Sequence, residues 1–436
     1  MTTFAKRVPW IGGALVVLAA ASAFVVGPYG PLGLAGVLLA VVAVGAVTRY
    51  TPGARPRVVV EEEEAVEEGE VSLLPWIMAA IGVRWLAAIA LNLSPLWRQF
   101  APDAVFYTLA GEAIRESWSS PNVDLALWFG KSKAIFYPYL NAISHAVFGS
   151  SRYPLSFLNG VIAVAAAYNY GLLARRMYGP RAQRIAFMLS AFFPSLIIWT
   201  SMNIRESWSY FALSLVLLGA DQLRQRVSVS SLGIMLSGLV LLSVLRAYLI
   251  PLVGTGLVLS FLVVRMRQLP YALMGLAVVV GAFVLFGDAL GVTGVLGDDP
   301  LERVNVMRHQ LAFGGSAYGS DVDTSTPMGA LTYLPLGISR FLLSPFPWNI
   351  SSWRQLIALP ESIAFAYVLY YGIREAIRTG WRESSKGALL IFVLAVTVCA
   401  YGLASGNEGT AYRHRGQIVF MVFVLAGGAF TRRRTS

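Results

Sequence analysis

Apolar runs recur along the chain from residue 10 to residue 430, and most are long enough to cross a bilayer as a helix. A hydrocarbon core about 30 Å thick takes roughly 20 helical residues. Lipid offers nothing to unpaired backbone groups, so only helices and closed barrels cross it. A barrel would show short alternating strands between turns, and none are seen. The sequence therefore predicts an all-α polytopic membrane protein. Spans are expected near 10–27, 31–48, 73–93, 154–173, 185–202, 207–220, 231–245, 247–264, 270–287, 356–373, 387–404 and 417–430, about twelve helices in all.

Charged residues make up 13% of the chain, against roughly 25% in a soluble domain. Cys399 is the single cysteine, which excludes an internal disulfide and a cysteine-rich metal site. The net charge of +11 does not point to nucleic acid, because the basic residues are dispersed in short segments between spans.

The basic residues report sidedness instead. Lys6 and Arg7, the 49–72 linker, Arg175 to Arg184, Arg224 and Arg226, Arg265 and Arg267, Arg374 to Lys386 and Arg432 to Arg434 fall on one set of alternate breaks. They hold 20 of the 34 basic residues. The positive-inside rule makes that side cytoplasmic, with both termini on it. Residues 1–48 read as a retained helical hairpin, and the acidic 49–72 as a cytoplasmic linker without a catalytic role. The membrane core is expected over 73–430, with long outer loops at 94–153 and 288–355. Residues 134–149 span only about 24 Å as a helix, short for the core. They are expected to lie in the outer interface, aromatics at headgroup level.

On that topology the informative polar residues share the outer side. Asp103 follows Pro102 where a helix would start, with Tyr107 four residues on, on the same face. Its alternative role is a helix N-cap. Asn203, Arg205 and Glu206 interrupt a strongly apolar stretch; the charged pair could instead neutralise itself at the rim. Arg246 stands between two apolar runs and wants an anionic partner, a protein carboxylate or a substrate phosphate. Tyr412-Arg413-His414-Arg415 concentrates basic groups where charge orientation would exclude them, which suits anion binding. Lys131, Lys133, Asp124 and His309 read as wetted loop residues. Glu112, Arg115 and Glu116 read as a surface salt-bridge cluster.

Several ordered segments resemble the glycosyltransferase C superfamily of integral membrane enzymes. The nearest branches are the protein O-mannosyltransferase and lipid A aminoarabinose transferase group and related bacterial envelope-polysaccharide proteins. The resemblance rests on Asp103 with Tyr107 in the first outer loop. It continues with Phe136-Tyr137-Pro138-Tyr139 leading to Phe148-Gly149, and Leu173-Ala174-Arg175-Arg176-Met177-Tyr178-Gly179 at a cytoplasmic span end. Pro194, Trp199, Arg205 and Glu206 follow, then Leu245-Arg246-Ala247-Tyr248, Ser344-Pro345-Phe346-Pro347-Trp348, and Gly406 to Arg415. Departures are a single Asp103 where a paired acid is usual, and Arg205-Glu206 where relatives often carry an aspartate.

The resemblance implies a glycosyltransferase C-like bundle with interfacial helices in its first outer loop. It further implies transfer of a sugar from a polyprenyl-phosphate or diphosphate donor to a glycan, lipid or protein acceptor, with inversion, at the outer face of the cytoplasmic membrane. Asp103 would be the base and Glu206 a second catalytic carboxylate, and the two together would hold a Mg or Mn ion if one is used. The implied substrate-binding residues are Tyr107, Tyr137, Asn203, Arg205, Arg246, Tyr248, Arg340, Trp348, Tyr412, Arg413, His414 and Arg415. A polymerase or ligase moving a whole lipid-linked glycan would use a similar site. A glycolipid flippase would instead show internal repeats and polar breaks near midplane, and an envelope scaffold would need none of these groups.

Overall fold

The computed structural model of the protein describes residues 73–120, 123–125, 136–264, 300–312, 316–319, 322–382 and 387–432. The expected hairpin at 1–48, the linker at 49–72, the span at 270–287 and the two loop lysines, Lys131 and Lys133, lie outside the described residues.

The described chain is helical: α1 (Leu74–Leu93), α2 (Leu96–Phe100), α3 (Asp103–Ser117), α4 (Phe136–Phe148), α5 (Tyr153–Tyr178), α6 (Pro180–Phe192), α7 (Pro194–Thr200), α8 (Glu206–Gln225), α9 (Val229–Arg246), α10 (Leu249–Val264), α11 (Pro300–Leu311), α12 (Pro327–Leu343), α13 (Trp353–Arg382), α14 (Ala388–Ala404) and α15 (Glu408–Arg432). Among the described residues no strand forms beyond one isolated bridge, Ala317 to Asn407. Among the described residues five helices, α1, α5, α9, α13 and α15, are long and apolar enough to cross a membrane, and α6 with α7 makes a sixth if the bent pair is one span. α10 and α14 are apolar but shorter.

α8, expected from its apolar run as the span 207–220, is a buried helix. It carries Asp221 and Arg224, yet nearly every residue from Glu206 to Gln222 is buried. It is the centre of the bundle, enclosed by α5 and α9 rather than by lipid. α8 and α9 run antiparallel at close range because Gly238 has no side chain: a Cβ there would sit 2.7 Å from the Ala212 carbonyl oxygen. Such small-residue contacts let helix backbones approach where lipid supplies no hydrophobic drive between helices. α1 and α13 lie at the other extreme, with wide exposed apolar faces that include Leu86, Leu93, Ile357 and Tyr370.

The bundle has two ends. At one, Arg176 pairs with Asp221 at 2.6 Å and Arg432 with Glu375 at 3.2 Å. At the other lie the first residues of α3, α8 and α15 and the last of α9.

The leading aromatics of α4, Phe136, Tyr137 and Tyr139, are buried, with α4 packed on α3 and α5, while Phe148 is exposed. Three expectations change on folding. The span near 185–202 is two helices bent by 58° at Phe193-Pro194. The outer break at 405–416 is mostly the opening turns of α15, so Tyr412 to Arg415 stand on a helix. The long outer loop at 288–355 contains α11 and α12, the second packed on α14.

Candidate active site

The site forms where four helix ends meet. Pro102 (φ −57°) starts α3 and makes Asp103 its first residue, without a side-chain cap hydrogen bond. A carboxylate in that first turn suits the positive end of the helix dipole, but its partner is elsewhere. Asp103 Oδ2 accepts from Arg413 Nη2 at 2.9 Å. The N-cap alternative is thereby replaced by an ion pair across 310 residues of sequence.

Glu206 opens α8 and is the hub. Its Oε1 accepts from Arg413 Nε at 2.6 Å and from Arg246 Nη2 at 2.7 Å. Arg246, the last residue of α9, also donates from Nη1 to the Tyr248 hydroxyl, which accepts from Tyr401 at 3.2 Å. Arg205 and Glu206 do not pair with each other; Arg205 Nη1 donates to the Leu245 carbonyl at 2.8 Å. Arg205 remains within electrostatic reach of Glu206, Tyr107 and Tyr248. Three guanidinium groups against two carboxylates leave one positive charge in excess among these five. Side-chain exposure rises along the set, from 1% at Glu206 and 3% at Arg246 to 15% at Arg413 and 45% at Asp103.

The segment 202–204 lies between α7 and α8 outside any helix, and a buried asparagine supports it. Asn159 of α5 donates to the carbonyls of Met202 and Ile204 at 2.7 and 3.0 Å and to the Tyr137 hydroxyl at 2.8 Å. Tyr137 donates to Asn203 Oδ1 at 2.8 Å, and Asn203 Nδ2 donates to Asn141 at 2.7 Å. Tyr137 and Asn203 thus hold the wall of the site, with Tyr107 edge-on to Tyr137 at 4.9 Å between centroids. Arg413 lies 5.8 Å over the ring of Trp199, the base of the site on α7.

Other sequence-nominated residues are placed differently. Arg415 is 1% exposed and spends its donors on the carbonyls of Leu342 and Ser344 and on Ser362, so it ties α15 to α12 and α13. Arg340 pairs with Glu408 at 2.6 Å in a separate cluster with Gln355. Trp348 is 76% exposed, stacked on Phe346. Tyr412 lies under the Arg415 guanidinium at 4.7 Å. His414 packs on Tyr401, with ring centroids 5.2 Å apart. Glu112, Arg115 and Glu116 form no ion pair with one another among the described residues.

A divalent ion shared by Asp103 and Glu206 does not fit. Arg413 occupies the space between them and bonds to both, and no group of three candidate ligands occurs among the described residues. The arrangement offers instead a half-exposed carboxylate able to accept a proton, beside guanidinium groups able to receive an anion. Asn159 and Tyr401 escaped the sequence reading, and Trp199 entered it only as part of the resemblance. The one available signal was Asn159 within the apolar Leu158 to Ala167 run.

No known protein family, curated protein or solved structure matches the chain.

Proposed function

We propose that the protein is an inverting membrane glycosyltransferase. It moves a sugar from a polyprenyl-phosphate or diphosphate donor to an envelope glycan, lipid or protein acceptor at the outer face of the cytoplasmic membrane. The observation that carries this reading is Arg413 held between a buried glutamate and a half-exposed aspartate. It puts a cation and an accessible carboxylate side by side at one end of a lipid-facing bundle.

In this reading the acceptor hydroxyl gives its proton to Asp103 as its oxygen bonds to the anomeric carbon. The bond from that carbon to the phosphate oxygen breaks, and its electron pair stays on the phosphate. Arg413, with Arg205 and Arg246 behind it, stabilises the charge that develops. A phosphate leaving group needs no proton, so one base suffices where glycoside hydrolysis uses two carboxylates. Glu206 is too buried to meet the acceptor, and its part is to hold two arginines in place.

One observation favours a lipid-carrier translocase instead: a broken helix with buried charge beside it. Against that reading, both open helix ends at the break are filled by protein side chains.

The test is transfer from a labelled polyprenyl-phosphate sugar by reconstituted protein, read as release of polyprenyl phosphate. Asp103→Asn should lower the rate by at least about 10²-fold, the scale of a lost general base. Wild-type turnover in Asp103→Asn, or a wild-type protein that neither binds nor consumes the donor, would defeat the proposal.

A further inference from the structure

The break between α6 and α7 carries buried charge that the proposed chemistry leaves unused. Pro194 has no amide hydrogen, and Phe193 is extended there (φ −70°, ψ 125°). The break strips the Ala191 carbonyl and the Ser195 amide of the helical partners they would give each other. Two ionisable side chains from distant helices take their places. Glu361 of α13 accepts from the Ser195 amide through Oε2 at 2.7 Å. Arg84 of α1 donates from Nη1 to the Ala191 carbonyl at 2.7 Å and from Nε to Thr200 Oγ1 at 3.0 Å. Arg84 is 1% exposed and Glu361 9%. Ionisable groups inside apolar helices are costly to keep and mark functional positions. The approach of α1 is made room for by Gly160, where a Cβ would lie 3.1 Å from that of Arg84.

These two side chains act on elements of the site. α7 carries Trp199, over which Arg413 lies. Glu361 also sits beside Tyr412, the residue before Arg413 on α15. One carboxylate thus bonds to α7 and lies beside α15, the two elements whose side chains meet at the base of the site.

We infer that Glu361 is a positioning residue. With Arg84 opposite, it fixes α7 against α15, and so sets the direction in which Arg413 points toward Asp103 and Glu206. Its consequence for catalysis rests on the transferase reading; the fixing of α7 does not.

Glu361→Gln keeps an oxygen acceptor in the same place, whereas Glu361→Ala removes it. Two readouts separate the cases: hydrogen–deuterium exchange of 194–200 in the purified full-length protein, and kcat and KM for a labelled polyprenyl-phosphate sugar. Glu361→Ala should raise exchange at Ser195 about 10-fold, as expected for one lost buried hydrogen bond. It should lower kcat about 10-fold through misplacement of a reacting group, with donor KM changed less. Glu361→Gln should restore both.

Ser195→Pro removes the donor instead of the acceptor and serves if Glu361→Ala does not fold. It should raise exchange over 196–200 and lower kcat in the same way. Native exchange in a folded Glu361→Ala, a Glu361→Gln as impaired as Glu361→Ala, or native exchange over 196–200 in Ser195→Pro would each overturn the inference. If the wild-type protein transfers no sugar, the transferase reading fails, and the exchange measurements still decide the positioning role by themselves.

Discussion

Exposure separates what each charged residue can be asked. The Asp103 side chain is 45% exposed, so its pair with Arg413 is screened by solvent and contributes at most about 1 kcal/mol to stability. Asp103→Asn therefore probes chemistry with little disturbance of the fold. Glu206 is the opposite case, 1% exposed with two guanidinium groups on one oxygen. Removing its charge leaves Arg246 buried against a neutral amide, and breaking such a pair costs about 3–5 kcal/mol. Glu206→Gln should lower the melting temperature in detergent clearly, while Asp103→Asn should leave it unchanged; equal melting for both would contradict the burial gradient. Sequence reading reached most of this constellation because charge in an apolar context is conspicuous. It left the partner of Arg246 open between a substrate phosphate and a protein carboxylate, and the structure supplies Glu206. It overvalued Arg415, whose donors go to backbone carbonyls that no sequence pattern exposes. It passed over Glu361 and Arg84 because each lies inside a span, where its partners are distant backbone groups.

At the scale of elements, the α8–α9 pair decides whether the site closes. Antiparallel packing sets Gly238 against Ala212 and, two turns on, Arg246 against Glu206. Gly238→Leu would force the backbones apart, an overpacking cost of about 1–3 kcal/mol, and would draw Arg246 from Glu206. The expected result is a lower melting temperature together with weaker binding of a polyprenyl-phosphate sugar. Loss of stability with unchanged binding would show that the pairing distance does not govern the site. The helical character of these elements was plain from their apolar runs. Their ends were not, because α15 begins within a segment whose glycine and charged residues resemble a loop, and the two bent helices read as one run. The 207–220 run located α8 but not its polar last turn, where Asp221, Gln222 and Arg224 are buried.

For the whole molecule, the ion pairs divide the bundle into two ends, and the end with Arg176–Asp221 and Arg432–Glu375 carries segments that the positive-inside rule would assign to the cytoplasm. In a Cys399→Ser background, cysteines placed at Ser120 and Ser325 should react with a membrane-impermeant maleimide in intact cells. Reaction only after permeabilisation would turn the protein over and put the site on the wrong face for a lipid-linked donor delivered outside. The sharing of Arg413 between Asp103 and Glu206 has a bearing on how that donor would be received. A phosphate arriving from the open side competes for Nη2 with the aspartate alone, while Nε remains on the glutamate. The guanidinium then changes partners without changing direction. Its orientation is already set before the ligand arrives, so little of the binding free energy is spent on reorganisation, the condition under which a fixed charge is most effective on a transition state.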